Sequence, residues 1–179
     1  MVHNVMKSAA LAGATIAALT MGAGSAMSQE ITLRMHTFIP PVANPGKTFL
    51  APWAKKIEAD SNGRIKVQPF WAMALGGKAP QLLDQVRDGV VDIVWTLPGF
   101  SPGRMPEVEP FELPFVHRDA LSTAQALQDF QDKYMGKALS AYKPLLLHSH
   151  EGFLFQTKNP VQKMEDLKGM KIRAASRAG

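Results

Sequence analysis

Three groups of residues have the types and spacing to do chemistry. The first lies in Lys163-Met164-Glu165-Asp166-Leu167-Lys168-Gly169-Met170-Lys171-Ile172-Arg173, where a helical turn ends at a glycine and a short apolar-alternating run carries Arg173. A guanidinium at the start of a strand offers fixed, paired donors to a carboxylate. The second is His148-Ser149-His150-Glu151, with His36 on another segment. Residues two apart on a strand share a face, which is the spacing of a metal pair, but no third ligand stands at a defined distance. A hydrogen-bonding histidine at a strand end is the plainer reading. Ser149 points to the opposite face from its neighbours, so no serine–histidine nucleophile is assembled. The third is Gly76-Gly77-Lys78 before a helix, where backbone amides can cradle an anion. It lacks the longer phosphate-loop pattern, which argues against an NTPase. Asp84, Asp88 and Asp92 recur at helical spacing and read as a solvated edge, not as paired catalytic acids.

An alternation of strand and helix must position these groups. Ile31, Leu33 and Met35 alternate with Thr32, Arg34 and His36, a period of two. Phe49, Leu50, Trp53, Ala54 and Ile57 then repeat at helical spacing, and Asn62-Gly63 stops the helix. Ile65-Lys66-Val67-Gln68 is a second strand ended by Pro69, and Pro80 suits the first turn of a helix with Leu82, Leu83, Val86 and Val90 inward. The run from Val90 to Trp95 predicts a strand covered on both faces, as in a parallel sheet. Prolines and glycines keep residues 97–106 irregular. Asp119 is placed to cap a long helix whose face carries Leu121, Ala124, Leu127, Phe130, Tyr134, Ala138 and Tyr142, and Leu145-Leu146-Leu147-His148 predicts another buried strand. The β-α-β-α-β order argues an open α/β sheet. Ligands of such sheets sit at the carboxyl ends of strands, which places Trp71, Trp95 and Leu97 well for a binding role, with simple packing as the alternative reading of each.

Composition limits the function classes. Hydrophobic residues make up 46% and charged residues 20% of 179, the balance of a packed domain. Cysteine is absent, so disulfides and thiolate metal sites are excluded. The net charge of +5 is scattered and forms no arginine-rich stripe with interleaved aromatics, so nucleic acid is not an expected partner. Lys7, the uncharged apolar run 9–23 and Ser25-Ala26-Met27-Ser28 have the layout of a secretory signal peptide cleaved after Ser28, with Met1 or Met6 as the start. The apolar run is too short for a transmembrane anchor, and an exported, non-spanning, periplasmic product is expected.

The order and spacing of several segments resemble the periplasmic solute-binding proteins of tripartite ATP-independent periplasmic (TRAP) transporters, the C4-dicarboxylate-binding type. They are Ala59-Asp60-Ser61-Asn62-Gly63-Arg64-Ile65, Leu82-Leu83-Asp84-Gln85-Val86-Arg87-Asp88-Gly89-Val90-Val91-Asp92, Glu109-Pro110-Phe111-Glu112-Leu113-Pro114-Phe115, and Lys158-Asn159-Pro160-Val161 with the segment ending at Arg173. The resemblance implies a two-lobed α/β clamp that closes on an organic acid and passes it to membrane permease subunits, with no cofactor, no metal and no catalysis. It implies that Arg173 grips the ligand carboxylate and that Phe38 lines the cleft. Many relatives have a second arginine near Phe153. An apolar ring there implies fewer charge-assisted bonds and favours a monocarboxylate with a hydrocarbon or aromatic body.

On this reading residues 1–28 are the signal peptide, 29–148 the first α/β lobe, and 149–179 the truncated start of a second lobe. An exposed apolar face near residues 145–147 or Ile172, and weak ligand binding by the chain alone, are expected. The alternatives are a secreted enzyme that uses His148 or His150 with Arg173 as anion anchor, or a non-functional fragment of a binding protein. Turnover of the ligand separates an enzyme from a receptor.

Overall fold

A computed structural model describes residues 31–113, 115–152 and 154–174. The expected signal peptide and Phe153 lie outside the described residues. Strand β1 spans Ile31–Thr37, β2 Ile65–Phe70 and β3 Ile93–Trp95, in one parallel sheet of order β2-β1-β3. In register, Ile31 lies opposite Ile65 and His36 opposite Phe70, while Met35 faces Ile93 and Thr37 faces Trp95. A central parallel strand is covered on both faces. Met35, His36 and Thr37 are accordingly all fully buried, whichever way each points.

Each crossover carries a helix. Helix α1, Ala51–Asp60, follows a single π-type turn at Gly46–Leu50 and has a proline in its first turn. It ends where Asn62 (φ 53°) and Gly63 (φ 76°) turn left-handed, and the Gly63 N–H reaches the Glu58 carbonyl at 2.8 Å. Leu50 and Ala54 pack with Met35, Ile39 and Val67 as the first core. Helix α2, Leu82–Arg87, follows a 3-10 turn holding Pro80, and Leu82 is fully buried. Helix α3, Ala120–Tyr134, starts at Asp119, whose carboxylate accepts the Ser122 N–H at 2.8 Å. Leu127 joins Met105, Val108, Met135 and Leu139 in a second core, against which Leu83 of α2 also packs.

Several predicted boundaries are corrected. β3 begins at Ile93, because Asp92 spends its carboxylate on the Arg34 N–H (2.7 Å) and Val90 is half exposed. β2 runs through Pro69 to Phe70: Pro69 has no N–H to give and stands in an edge strand of the described sheet. The first helix leaves Phe49 partly exposed. α3 stops at Tyr134 and does not reach Tyr142; its buried face is Thr123, Leu127 and Gln131, which turns Leu121 and Tyr134 outward. Met135 and Leu139 remain buried beyond its end as part of a turn-rich segment. Residues 145–148 form no strand, since none of the described strands pairs with them. Leu145 and Leu146 are 64% and 51% exposed, and Ile172 is 50% exposed, so the expected apolar surface is present. No helix among the described residues is long and apolar enough to cross a membrane.

Truncating Met35 to alanine removes a fully buried side chain from the central strand and is expected to cost about 2–5 kcal/mol. Met35→Leu, which keeps the volume, costs less than about 1.5 kcal/mol. Urea unfolding followed by circular dichroism measures both; equal midpoints for Met35→Ala and the parent contradict this packing.

Candidate functional site

The parallel register brings the carboxyl ends of β1 and β3 together at Thr37 and Trp95. Phe38 emerges directly after Thr37, and its ring stacks on Trp95 at 5.5 Å between centroids and 20° between planes. The Pro98–Phe100 turn delivers Phe100 edge-on to Phe38 at 4.9 Å and 78°. Leu97 begins that turn, its carbonyl accepting the Phe100 N–H at 3.1 Å. His148 lies beside Trp95, with planes 17° apart, and the indole Nε1–H donates to His148 Nε2 at 3.0 Å. The product is an aromatic wall at the strand ends, its Phe38, Trp95 and Phe100 rings half-buried.

Backbone around the wall is held under strain. Ala72 and Met73, just past β2, take left-handed φ values of 51° and 61°, a conformation that costs on the order of 1–3 kcal/mol per residue. Their N–H groups donate to the carbonyls of Ile39 (2.9 Å) and Thr37 (3.1 Å), sewing the exits of β2 and β1 together. Gly46 is needed here: a Cβ would lie 3.0 Å from the Pro40 carbonyl oxygen and 3.3 Å from the Trp71 ring. Beneath the wall, His36 Nε2 accepts the Leu75 N–H at 3.4 Å, so its Nδ1 carries the proton and donates to Gln85 Oε1 at 2.6 Å. Gln85 in turn donates to the Gly76 carbonyl at 3.2 Å. The expected anion cradle is occupied by the protein itself, because the Lys78 N–H is taken by Gln81 Oε1 at 2.8 Å.

The loop bearing Phe100 is clamped to α2 by charge. Arg104 Nη2 and Arg87 Nη1 meet Asp84 Oδ1 at 2.5 and 2.9 Å, and Arg87 also forks onto Asp88. The Arg104 hydrogen bond is the main reason that the Asp84 carboxyl titrates below its ordinary value of 3.8; the Arg87 hydrogen bond lowers Asp88 in the same way. Ser101 Oγ donates to the Pro80 carbonyl at 3.1 Å, a second tie between loop and helix. The three aspartates therefore hold structure together: Asp92 pairs with Arg34, and the other two with Arg87 and Arg104.

Of the residues singled out from sequence, Phe38 and Trp95 are brought into contact, with Leu97 at the base of the adjoining turn. Trp71 packs against the first core and is not part of the ring pairings described above. Arg173 is exposed and makes no hydrogen bond or ion pair with the described residues. A shallow depression of about 350 Å³ just before it in sequence is lined by Lys158, Asn159, Pro160, Val161, Asp166 and Met170. A cavity of about 210 Å³ beside the Phe100 turn is lined in part by Glu109 and Glu112, charges that repel a carboxylate. Phe100 was not singled out from sequence, because it stands in a Leu-Pro-Gly-Phe turn after β3, outside any periodic pattern. His148 is expected from sequence as a metal, strand-end or enzyme residue, not as a partner of Trp95. Among the described residues no group of three potential ligands could hold a metal ion, and His150 Nδ1 faces the Glu151 carbonyl at 2.6 Å.

Residues 37–178 match the family model for bacterial extracellular solute-binding protein, family 7. The chain belongs to this family. Among solved structures it is similar to a marine metagenome TRAP solute-binding protein from an unidentified microbe, described as specific for aromatic acid ligands and bound to 3-hydroxybenzoate. That likeness has 52% identity and a TM-score of 0.67 over 69% of this chain and 39% of the other. A TRAP solute-binding protein from Rhodoferax ferrireducens, in complex with benzoate, is 39% identical with a TM-score of 0.64 over 65% of this chain and 36% of that one. The outer membrane transporter protein TsaT of Comamonas testosteroni is 31% identical over 90% of this chain and 47% of its own length. The chain thus spans about half the length of that relative.

Asp84 sets a pH dependence in this family member. Its pKa is lowered on folding, so its pairing with Arg104 stabilises the chain above its ordinary value of 3.8 and is lost as the pH falls through the lowered pKa. Asp84→Asn should reduce the urea midpoint at neutral pH, and the deficit should shrink in acid and in high salt. A deficit that is unchanged in acid contradicts the assignment.

Proposed function

We propose that this protein is an extracytoplasmic receptor that binds an aromatic monocarboxylate and delivers it to the permease of a TRAP-type transporter. The observation that carries the reading is the wall of Phe38, Trp95 and Phe100 at the carboxyl ends of β1 and β3. Aromatic faces pair with a flat ring in offset or edge-on geometry, each pair adding about 0.5–1.5 kcal/mol beyond burial. A C4 dicarboxylate gains nothing from such a wall. The ligands of the two solved relatives, 3-hydroxybenzoate and benzoate, support the same choice, so a dicarboxylate specificity is set aside.

Arg173 is assigned the carboxylate. Its guanidinium is uncommitted to any described residue, which leaves its fork available. Trp71, Leu97 and Phe153 are assigned apolar contacts around the ring. Residues 29–148 form one lobe and 149–179 open a second, a division supported by the two cores, neither of which draws on a described residue beyond Leu147. Closure of two lobes on the ligand shifts an open–closed equilibrium by the difference in affinity of the two states. The ligand is held and released unchanged, without cofactor. Export to the periplasm by the 1–28 signal peptide completes the assignment.

A thermal-shift series tests this directly, because a ligand that binds only the folded chain raises its melting temperature. Benzoate and 3-hydroxybenzoate should raise it and succinate should not. Trp95→Ala and Arg173→Ala should each weaken binding on the order of tenfold or more, equal to about 1.4 kcal/mol. A larger shift with succinate, or conversion of benzoate during incubation, contradicts the reading.

A further inference from the structure

We infer that His148 is a positioning residue of the aromatic wall: it holds the Trp95 indole in its ligand-facing orientation by accepting the Nε1–H on Nε2. The inference rests on the aromatic-acid reading above. An indole N–H is a donor only, so the 3.0 Å contact requires an unprotonated Nε2 and places the imidazole proton on Nδ1. The two ring planes are 17° apart at 5.7 Å between centroids, so the imidazole runs nearly parallel to the indole.

Trp95 has reason to need such a partner. β3 is only Ile93–Trp95, and Trp95 is its last residue, so the ladder fixes the backbone on one side and the turn at Pro98 follows. Phe38 restrains the ring by stacking, which tolerates sliding and rotation in the plane, and Phe100 packs edge-on against Phe38. The hydrogen bond removes that freedom because it is directional. It also joins residues 53 apart in sequence and ties the irregular segment around residue 148 to the sheet end. Two further ties of that segment are longer: Leu147 N–H to Gln128 Oε1 at 3.4 Å and Ala120 N–H to Glu151 Oε1 at 3.3 Å. The contact therefore bears on both the pose of the indole and the path of the chain after Leu147, which itself packs against the second core.

The test is a double-mutant cycle on the full chain, with benzoate and 3-hydroxybenzoate as probes and calorimetry as readout. His148→Phe keeps a flat ring and removes the acceptor; it should weaken both acids about tenfold. His148→Gln, which restores an acceptor, should recover most of the loss. In a Trp95→Phe background the donor is gone, and His148→Phe should then change affinity less than about twofold. Without ligand, the Trp95 indole proton should exchange with solvent faster in His148→Phe than in the parent by nuclear magnetic resonance. Additive effects in the cycle, no rescue by glutamine, or unchanged indole exchange overturns the inference and leaves the receptor reading standing. Failure to bind either acid by the protein extended to the length of its relatives, with indole exchange still faster in His148→Phe, overturns the receptor reading and keeps the tie as a structural one.

Discussion

The structure depends on one constraint: β1 is hydrogen-bonded on both sides by parallel strands. A parallel arrangement sends every strand's carboxyl end to the same edge of the sheet. It also requires both faces of the central strand to be covered, which is why Met35, His36 and Thr37 are buried in succession. Two of these are polar, and burying a polar group without a partner costs several kcal/mol on transfer scales. His36 meets that demand through Gln85 and Leu75, and Thr37 Oγ1 accepts the Ile39 N–H at 3.5 Å. The need to satisfy a buried histidine thus fixes the glycine loop and α2 against the sheet. α2 then supplies Asp84, onto which the Phe100 loop is clamped.

Each layer of the site follows from the one beneath. The sheet places Phe38 and Trp95 side by side, the charge clamp orients the loop that brings Phe100, and the indole tie recruits His148 from far along the chain. Stacking supplies affinity for a flat ring with little demand on its substituents. Selectivity for an acid needs a cation as well, and the guanidinium of Arg173 is the one assigned to it. On the proposed division of the chain, the rings of Phe38, Trp95 and Phe100 and the arginine belong to different lobes. A ligand that must touch both is the one that draws them together, which is the physical logic of a clamp.

Much of this was legible in the residues. The period-two run from Ile31, the Asn62-Gly63 stop and the Asp119 cap are local signals, and each appears at its place in the structure. The errors share one cause: burial is a tertiary property. Leu145-Leu146-Leu147 has the composition of a buried strand, yet two of its leucines face outward because no described strand pairs with them. The face of α3 was misplaced for a similar reason: Thr123 is buried with its hydroxyl bonded to the Asp119 carbonyl at 2.7 Å, a satisfaction that no hydrophobicity pattern reveals. At the site, Trp95 was readable from the strand-end rule and Phe38 from the family resemblance. Phe100 and His148 were not, because a proline-glycine turn and a contact spanning 53 residues leave no periodic trace.

The central claim is that the ring of an aromatic acid rests on the wall at the ends of β1 and β3. Nuclear Overhauser effects between the ring protons of bound 3-hydroxybenzoate and assigned protein side chains measure this most directly. The account predicts cross-peaks to the Trp95 indole and the Phe38 ring. Cross-peaks confined to the cavity lined by Met105, Val108 and Glu109, with none to Trp95, contradict it.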